Sequence, residues 1–450
     1  MSRLFGTDGV RGVANAELTP ELCFRIGRAG ATVLSENAGP LVVGRDTRLS
    51  GTMLEAAIVA GITSVGRDAV LLGVLPTPGV ACVTRREGAA AGIVISASHN
   101  PIADNGVKFF GPDGFKLSDE IEDRIEALLD ATDLPRPTGT GVGIARTAQN
   151  LGRYYYEELY SSGADLHGLH VVVDGAFGAA YAVAPYALRK LGADVSEINC
   201  ENDGSRINVG CGATDLGPLQ AAVREAIASG RTGTIGVAFD GDADRALFID
   251  ETGAPISGDH VMFAIARDMQ SRRELAGDAV VGTVMSNIGF ERALRVHGIG
   301  LIRASVGDRY VLERMQSGGY VLGGEQSGHV IDFRRNTTGD GPMTAVSLLG
   351  IVAAAGVRLH DLVSEVVIAP QVLVNVRTPR KDVLDLPEIQ AATAAAQRSL
   401  GDGGRLLIRP SGTEPLIRVM AEGEDRGRVE QVAAHLASRI EEEIGRLTQT

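Results

Sequence analysis

The sequence predicts an α/β protein with three similar mixed αβ sandwich domains and a smaller α+β C-terminal domain around a central cleft. Three observations lead to this fold class. The 450 residues are too many for one core of ordinary size and favour about three or four domains. A pattern of strands and helices occurs three times, and after Val367 the pattern changes.

The repeated unit contains three apolar segments, separated by helix-like stretches and followed by loops rich in glycine or polar residues. We expect each apolar segment to form a buried strand. The first strands start at Leu41, His170 and Ala279, the second follow Val65, Leu191 and His297, and the third start at Gly92, Ile235 and Gly318.

The C-terminal part has a different pattern of predicted strands and helices. The segments "VIAPQVLVNVRT" and "GRLLIRPSGTEPLIRVMAEGED" predict antiparallel strands, and each is followed by a stretch that predicts a helix. The predicted domains are therefore residues 1–150, 151–252, 253–367 and 368–450.

Strands that alternate with helices predict mostly parallel sheets covered on both faces, with ligands outside the carboxyl ends of the strands. The loops after the third strands contain Ser98, Asp240 and Glu325. Because these loops are equivalent in the three copies, packing the copies around one cleft would bring them together.

Composition limits the classes of function. The formal charge of −13 and the 4% of aromatic residues argue against nucleic acid as a partner. The four cysteines show no CxxC spacing, no apolar run reaches about 18 residues, and the N-terminus lacks a signal-peptide pattern. We therefore expect a soluble cytoplasmic protein without a membrane partner, in which an acidic ligand requires local Arg and Lys.

The segment "FDGDADR" places Asp240, Asp242 and Asp244 at alternate positions. Such carboxylates would repel one another without a cation, and ligands that are all oxygen select Mg²⁺ or Ca²⁺. An EF-hand is excluded, because Arg245 stands at the sixth position where that loop requires glycine. A solvated acidic turn is the alternative to a metal site.

The segment "GIVISASHNP" carries Ser96, Ser98 and His99 beyond a predicted strand. No GxSxG motif is present to indicate an acyl-transfer triad. By itself the segment fits a helix cap with a turn histidine. A hydroxyl in the loop equivalent to the three-carboxylate loop instead suggests phosphoryl chemistry, because a cation offsets the charge of a phosphorylated serine.

Two further loops carry groups suited to a phosphorylated sugar. The segment "RLLIRPSGTEPLIRV" offers backbone N–H groups, hydroxyls and guanidinium groups for a phosphate, with a simple turn as the alternative. The segment "GGEQSGH" offers hydrogen-bonding groups for sugar hydroxyls and a histidine for proton transfer, with a glycine-rich turn as the alternative. The residues concerned are Arg409, Ser411, Gly412, Thr413 and Arg418 in the first loop and Glu325, Ser327 and His329 in the second.

Together with the N-terminal "FGTDGVRG", these four loops resemble, in content and order, the α-D-phosphohexomutase superfamily. The resemblance covers essentially the whole chain. Gln326 and the N-terminal stretch are similar to the branch that acts on glucosamine phosphates rather than on mannose or glucose phosphates.

The resemblance implies that Ser98 is the phosphoserine and that Asp240, Asp242 and Asp244 bind one Mg²⁺ per chain together with a phosphoserine oxygen. Arg245 would hold the phosphoryl group, Glu325 and Ser327 would bind the sugar, and the Arg409 to Arg418 loop would bind the phosphate that does not react. The further residues expected in the cleft are Lys108, His99, His329, Arg11 and Arg309.

The activity implied is the interconversion of glucosamine 6-phosphate and glucosamine 1-phosphate through a 1,6-bisphosphate, feeding UDP-N-acetylglucosamine and cell-wall synthesis. Glucosamine or glucose 1,6-bisphosphate would be the activator, and a homodimer is an open alternative to a monomer. The competing hypotheses are a mutase for mannose or glucose phosphates, a sugar-phosphate-binding regulator without catalysis, and a cation-dependent phosphatase.

Overall fold

The computed structural model describes residues 3–6, 8–161, 163–401, 403–411 and 415–449. They divide into two compact units, one formed by residues 1–283 and 302–364 and the other by residues 284–301 and 365–450. Gly412 and Thr413, two of the predicted phosphate-loop residues, lie outside the described residues.

The first sheet is buried on both faces. Its strands are β1 (Val10–Val13), β2 (Leu41–Arg45), β3 (Ala69–Val74), β4 (Ala91–Ile95), β5 (Asp104–Phe110) and β6 (Ala145–Thr147). The helices of this region are α1 (Pro20–Val33), α2 (Gly51–Ser64), α3 (Thr77–Arg86) and α4 (Asp119–Ala127). Val43 packs in one core with Ile26 of α1. Its neighbour Val42 packs in a second core with Val80 of α3, because successive strand residues point to opposite faces.

The second sheet comprises β7 (His170–Asp174), β8 (Asp194–Ile198), β9 (Ile235–Phe239), β10 (Ala246–Ile249) and β11 (Pro255–Ile256). The helices of this region are α5 (Arg153–Tyr160), α6 (Ala180–Lys190) and α7 (Gly217–Ala228). Val172 and Ala238 of neighbouring strands pack against Leu219 and Val223 of α7. As in the first sheet, apolar strand residues are buried under a helix, and this packing stabilises the second copy of the repeated unit.

The third sheet comprises β12 (Ala279–Thr283), β13 (Gly300–Ala304), β14 (Leu322–Gly324) and β15 (Val330–Asp332). The helices of this region are α8 (Gly258–Ser271), α9 (Ile288–Val296), α10 (Asp308–Gly318), α11 (Gly341–Ala355) and α12 (Leu359–Val363). Val281 and Ile331 pack with Val311 and Met315 of α10 in one apolar cluster.

The three sheets share one strand order. The common part is β3-β2-β4-β5 in the first sheet, β8-β7-β9-β10 in the second and β13-β12-β14-β15 in the third. All nine predicted strands are therefore confirmed, as is their repetition. Parallel and antiparallel pairs occur together in these sheets, because each third strand pairs with an antiparallel fourth strand. The Ser98, Asp240 and Glu325 loops are consequently equivalent hairpin connections.

The C-terminal part has the predicted antiparallel sheet with two helices. Its strands are β16 (Gln371–Arg377), β17 (Arg405–Pro410) and β18 (Leu416–Glu422), in the order β16-β18-β17, and its helices are α13 (Pro387–Leu400) and α14 (Arg426–Gln449). Ile417 and Val419 of β18 pack against Leu436 and Ile440 of α14. This apolar contact holds the long helix on the sheet.

No helix among the described residues has the length and apolar character needed to cross a membrane. Cys23, Cys82 and Cys211 are buried and Cys200 is half-buried, and all four are free thiols. Burial raises the pKa of each thiol, which is typical of cysteines that fill space rather than react.

Candidate active site

Ser98 lies in the hairpin between β4 and β5 and points at a carboxylate of the second sheet. Its side chain is buried, and its Oγ donates a hydrogen bond to Oδ2 of Asp240 at 2.6 Å. The backbone of Ser98 has a φ of 50°, in the left-handed region that few residues other than glycine adopt. Because the loop joins two strands, the alternative interpretation of this serine as a helix cap does not apply.

Three carboxylates converge in the hairpin between β9 and β10. Asp240, Asp242 and Asp244 are buried, and one oxygen from each lies within 4.8 Å of the other two. Among the described residues, Oδ1 of Asp242 and Oδ1 of Asp244 have no hydrogen-bond partner. Buried carboxylate oxygens without partners are costly. The arrangement therefore fits a hard divalent cation held by oxygen ligands, and a solvated acidic turn is excluded by the burial.

Lys108 of β5 supplies part of the balancing charge. Its Nζ lies 2.9 Å from Oδ2 of Asp242, 3.7 Å from Oδ2 of Asp244 and 3.2 Å from Oδ2 of Asp8. Burial by itself would lower the pKa of Lys108, but attraction to Asp242 and Asp8 raises it above the ordinary value. The lysine is thus held in its charged form among the carboxylates.

One lysine does not balance three carboxylates. Burial raises the pKa of Asp240 well above its ordinary value, and repulsion by Asp244 and Asp242 raises it further. Burial also raises the pKa of Asp244, as does repulsion by Asp242. Burial would raise the pKa of Asp242 too, but Lys108 and the Thr77 hydroxyl hold it at about 2. A bound divalent cation would supply the missing positive charge.

His99 is next to Ser98, with Nδ1 at 3.2 Å from Ser98 Oγ. Burial, together with the positive charges of Arg245 and Arg11, lowers the pKa of His99 to about 4. The imidazole is therefore neutral at pH 7. In its Nδ1-protonated tautomer it donates to Ser98 Oγ while that hydroxyl donates to Asp240.

The third hairpin carries Glu325, Ser327 and His329. It lies against the hairpin between β9 and β10, called here the carboxylate hairpin. Arg245 forms a backbone bridge with His329, and the N–H of Ala246 donates to Gly328 O at 3.0 Å. Nε2 of His329 lies 3.8 Å from Oδ2 of Asp244. Within the described part of the chain, the buried Oγ of Ser327 and both ring nitrogens of His329 have no hydrogen-bond partner. These polar groups remain available to a ligand.

The structure also shows where the predicted arginines lie. Arg245 is close to the carboxylate triad, which is formed by Asp240, Asp242 and Asp244. Its Nε lies 3.9 Å from Oδ1 of Asp244. Arg11 pairs with Asp8 and donates to Oδ1 of Asn100 in the Ser98 hairpin. Arg309, by contrast, is held by carboxylates of α4 and α10, at 2.7 Å from Asp119, 3.3 Å from Glu122 and 3.3 Å from Glu313. The structure therefore brings Arg11 and Arg245 to the Ser98 hairpin and the triad but engages Arg309 elsewhere.

A network of charged residues that sequence reasoning missed extends from the triad. Lys116 forms ion pairs with both Asp8 and Asp308. Nε2 of His329 lies 3.6 Å from Oδ2 of Asp308, and Gly307 donates its N–H to Glu325 Oε1 at 3.1 Å. Asp8 stands in the stretch "FGTDGVRG", whose position in the resemblance was the available signal for it. Lys116 and Asp308 carried no comparable signal.

In the second unit, Arg409 of β17 and Arg418 of β18 are direct cross-strand neighbours. Burial and the positive charge of Arg418 lower the pKa of Arg409. Like charges opposite each other on two strands are destabilising. Ser411 is buried at the end of this pair, and its carbonyl accepts a hydrogen bond from Lys381. An anion at this position would relieve the repulsion between the two arginines.

The fold and the site are those of an enzyme built from three α/β/α domains and a C-terminal domain. Models of one protein family match these parts of the chain in the same order. Domain models described as phosphoglucomutase/phosphomannomutase alpha/beta/alpha domains I, II and III match residues 2–136, 153–253 and 257–368, and the C-terminal domain model matches residues 373–439. The chain belongs to the phosphoglucomutase/phosphomannomutase family, as the resemblance of its loops indicated.

Relatives within this family that are about half identical to the chain share one name. The chain is 50% identical over 451 residues to phosphoglucosamine mutase of Caldanaerobacter subterraneus subsp. tengcongensis, covering 99% of this chain and 100% of the relative. It is 52% identical over 451 residues to phosphoglucosamine mutase of Symbiobacterium thermophilum, with the same coverage of 99% and 100%. A crystal structure of a phosphoglucomutase/phosphomannomutase family protein from Burkholderia thailandensis has the same fold, with a TM-score of 0.82 at 24% identity over 97% of this chain and 98% of that one.

Proposed function

We propose that the chain is a phosphoglucosamine mutase, which interconverts glucosamine 6-phosphate and glucosamine 1-phosphate. The observation that carries the chemistry is the buried Ser98 hydroxyl at 2.6 Å from Asp240, in a site where three carboxylates converge. The choice of an amino sugar is supported by the name of relatives that are about half identical over the full chain.

In the first half-reaction, phosphorylated Ser98 gives its phosphoryl group to the free hydroxyl at C1 of glucosamine 6-phosphate. The bond between phosphorus and Ser98 Oγ breaks, a bond to the sugar oxygen forms, and the hydroxyl proton leaves. His329 is the group suited to accept that proton, because its buried ring nitrogens have no hydrogen-bond partner among the described residues. The product of this step is glucosamine 1,6-bisphosphate.

In the second half-reaction the bisphosphate presents its other phosphate to Ser98. The serine oxygen attacks that phosphorus, the bond to the oxygen at C6 breaks, and glucosamine 1-phosphate leaves. His329 returns the proton to the departing oxygen. Lys108 and Arg245 would stabilise negative charge on the transferred group, since both lie beside the carboxylate triad.

Mg²⁺ is the metal that we propose for this site, held by Asp240, Asp242, Asp244 and an oxygen of phosphorylated Ser98. When bound, it would stabilise negative charge on the transferred group and on the serine oxygen. The proposal includes activation by glucosamine or glucose 1,6-bisphosphate, which would phosphorylate Ser98. It also includes supply of UDP-N-acetylglucosamine and peptidoglycan precursors in the cytoplasm.

A coupled assay should compare glucosamine, glucose and mannose phosphates, each with and without the matching 1,6-bisphosphate. We expect the highest kcat/KM with glucosamine phosphate and a requirement for bisphosphate when Ser98 starts unphosphorylated. A higher kcat/KM with glucose or mannose phosphate would assign the chain to that activity instead. Binding of all three without turnover would indicate a regulator, and release of inorganic phosphate would indicate a phosphatase.

The Arg409 and Arg418 pair should bind the phosphate that does not react, in both half-reactions. Arg418→Ala is expected to lower kcat/KM for both isomers by roughly ten- to a hundredfold, mainly through KM, because a charge-assisted hydrogen bond contributes about 1.5–3 kcal/mol. Steady-state kinetics in both directions measures this. Arg398→Ala, at an exposed position in the last turn of α13, removes the same charge and should change little.

Two results would contradict this role of Arg418. One is an unchanged kcat/KM for both isomers, and the other is a loss confined to one isomer. The phosphate content of Ser98 provides a second readout and should be the same in the variant and the wild type, because Arg418 serves substrate binding only.

A further inference from the structure

The backbone of the Ser98 hairpin is bound by a buried arginine that the mechanism above does not use. The guanidinium of Arg48 donates to four carbonyl oxygens of this hairpin. They are the carbonyls of Ser98 at 2.9 Å, Asn100 at 2.8 Å, Pro101 at 2.6 Å and Asp104 at 2.9 Å. Its remaining donor, Nε, binds Oδ2 of Asp46 at 3.0 Å. All the donors of a guanidinium group are therefore in use.

Asp46 links this arginine to the serine from a second direction. Oδ2 of Asp46 accepts a hydrogen bond from Ser96 Oγ at 2.6 Å, and Ser96 Oγ accepts one from the N–H of Ser98 at 2.9 Å. Asp46 and Arg48 are both buried, so their opposite charges neutralise each other out of contact with water. Both the N–H and the carbonyl of Ser98 are thus fixed by one buried ion pair.

Asn208, in the chain between β8 and α7, binds the same backbone from the second sheet's domain. Its Nδ2 donates to Ser98 O at 2.8 Å and to Asn100 O at 3.4 Å. The carboxylate hairpin approaches the same point, since a Cβ on Gly241 would lie 2.6 Å from Ser98 O and 2.9 Å from Asn208 Nδ2. The carbonyl of Ser98 is therefore where the Ser98 hairpin, the carboxylate hairpin and Asn208 meet.

These contacts explain how Ser98 keeps an unfavourable backbone conformation. A residue other than glycine in the left-handed region costs about 1–3 kcal/mol unless its surroundings hold it there. The φ of 50° at Ser98 is the conformation in which Oγ reaches Asp240. If the hairpin relaxed, the hydroxyl would leave the carboxylate group, and phosphoryl transfer depends on such alignment.

We propose that Arg48 and Asn208 are positioning residues that hold the Ser98 carbonyl, and so keep Ser98 Oγ aimed at the carboxylate triad during phosphoryl transfer. This inference rests on the proposed function. Neither side chain contacts the triad or the Glu325 hairpin through any hydrogen bond of the described residues. Their loss should therefore affect the rate of transfer and leave sugar binding intact.

The test uses Asn208→Ala and Arg48→Lys in the full chain. Asn208 is half-buried. Arg48→Lys keeps the positive charge beside Asp46 but cannot make all five hydrogen bonds of the guanidinium group. We expect kcat to fall by about ten- to a hundredfold in each variant with KM within about twofold of the wild type, because misplacement of about 1 Å costs up to that factor. Amide hydrogen exchange of residues 96–104 should accelerate in both.

Two matched controls separate positioning from general structural damage. Arg67 donates to the carbonyls of Ser35, Asn37 and Gly39, so Arg67→Lys removes a similar set of bonds away from the Ser98 hairpin. Asn37 donates Nδ2 to Ala90 O at 3.2 Å, so Asn37→Ala matches the change at Asn208. Both controls should keep the wild-type kcat and the wild-type exchange of residues 96–104.

An unchanged kcat in Asn208→Ala and Arg48→Lys would overturn the positioning role, and so would a loss confined to KM. An equal fall of kcat in the two controls would also overturn it, because the effect would then be unspecific. A wild-type protein without mutase activity would overturn the proposed function instead. Hydrogen exchange of residues 96–104 then decides by itself whether Arg48 and Asn208 hold the hairpin.

Discussion

Replacement of Ser98 by alanine is expected to abolish incorporation of phosphate into the protein and to lower kcat by about 10⁴-fold or more. Removal of a nucleophile that acts in a covalent mechanism costs up to about 10⁶-fold in kcat. The carboxylates, Lys108 and Arg245 remain in the variant, but no group is left to carry the phosphoryl group between the two sugar oxygens. The fold should persist, because only one buried hydroxyl is removed.

Intact-mass measurement after incubation with the 1,6-bisphosphate measures the first effect, and steady-state kinetics measures the second. The wild type should carry one phosphate and Ser98→Ala none. Ser64→Ala removes a hydroxyl that donates to Gly61 O on α2 and should retain both the phosphate and the activity. A phosphate that survived in Ser98→Ala would show that another residue is the carrier.

Asp242→Asn is expected to lower kcat by about 10²–10³-fold at ordinary Mg²⁺, the range found when one stabilising charge or donor is removed from a transition state. The change removes a proposed Mg²⁺ ligand that is kept ionised, since Lys108 and Thr77 hold the pKa of Asp242 at about 2 despite its burial. It also leaves Lys108 with one fewer partner among the carboxylates.

The measurement is a titration of activity with Mg²⁺, paired with the shift in melting temperature that Mg²⁺ produces without substrate. The wild type should be stabilised by Mg²⁺ and inactive in EDTA, and Asp242→Asn should lose most of the stabilisation. Asp194→Asn makes the same chemical change at an exposed ion pair with Arg231 and should behave like the wild type. Full wild-type activity in EDTA would exclude a metal-dependent mechanism.

A strongly acidic chain can bind an anionic sugar only where positive charge is concentrated locally, and each of the two units contains such a place. In the first unit Lys108 and Arg245 lie beside the carboxylate triad, where a cation would offset the remaining negative charge. In the second unit Arg409 and Arg418 face each other across two strands. The formal charge of −13 is thus a property of the whole chain and does not describe these sites.

The sequence by itself determined the repeated strands and the equivalence of their loops. The apolar run from Leu41 forms a buried strand because its side chains pack against helices on both faces of the first sheet. The runs from His170 and Ala279 form buried strands in the same position of the second and third sheets. Such information is local, since it depends on a few neighbouring residues. The residue types in the loops likewise indicated oxygen ligands and a hydroxyl, which the structure brings together at Ser98 and Asp240.

Only the tertiary structure decided the direction of the strands after those loops. Strands β5, β10 and β15 turn back antiparallel to the strands that precede them, so the three loops are hairpins. Strand direction depends on hydrogen bonds between segments, and the alternation of apolar residues along one segment is the same in either direction. The sequence pattern therefore left the direction open.

Tertiary structure also decided the partners of the charged side chains. Arg48 binds carbonyls about 50 positions away along the chain, Lys116 pairs with Asp308, and Arg309 pairs with carboxylates of α4 rather than joining the triad. From a sequence, a charged residue is expected to lie at the surface, because burying its side chain is costly unless other segments of the chain supply partners for the charge. The sequence could therefore indicate candidates for the reacting groups, but the residues that we propose to hold them in place became visible only when distant segments were brought together.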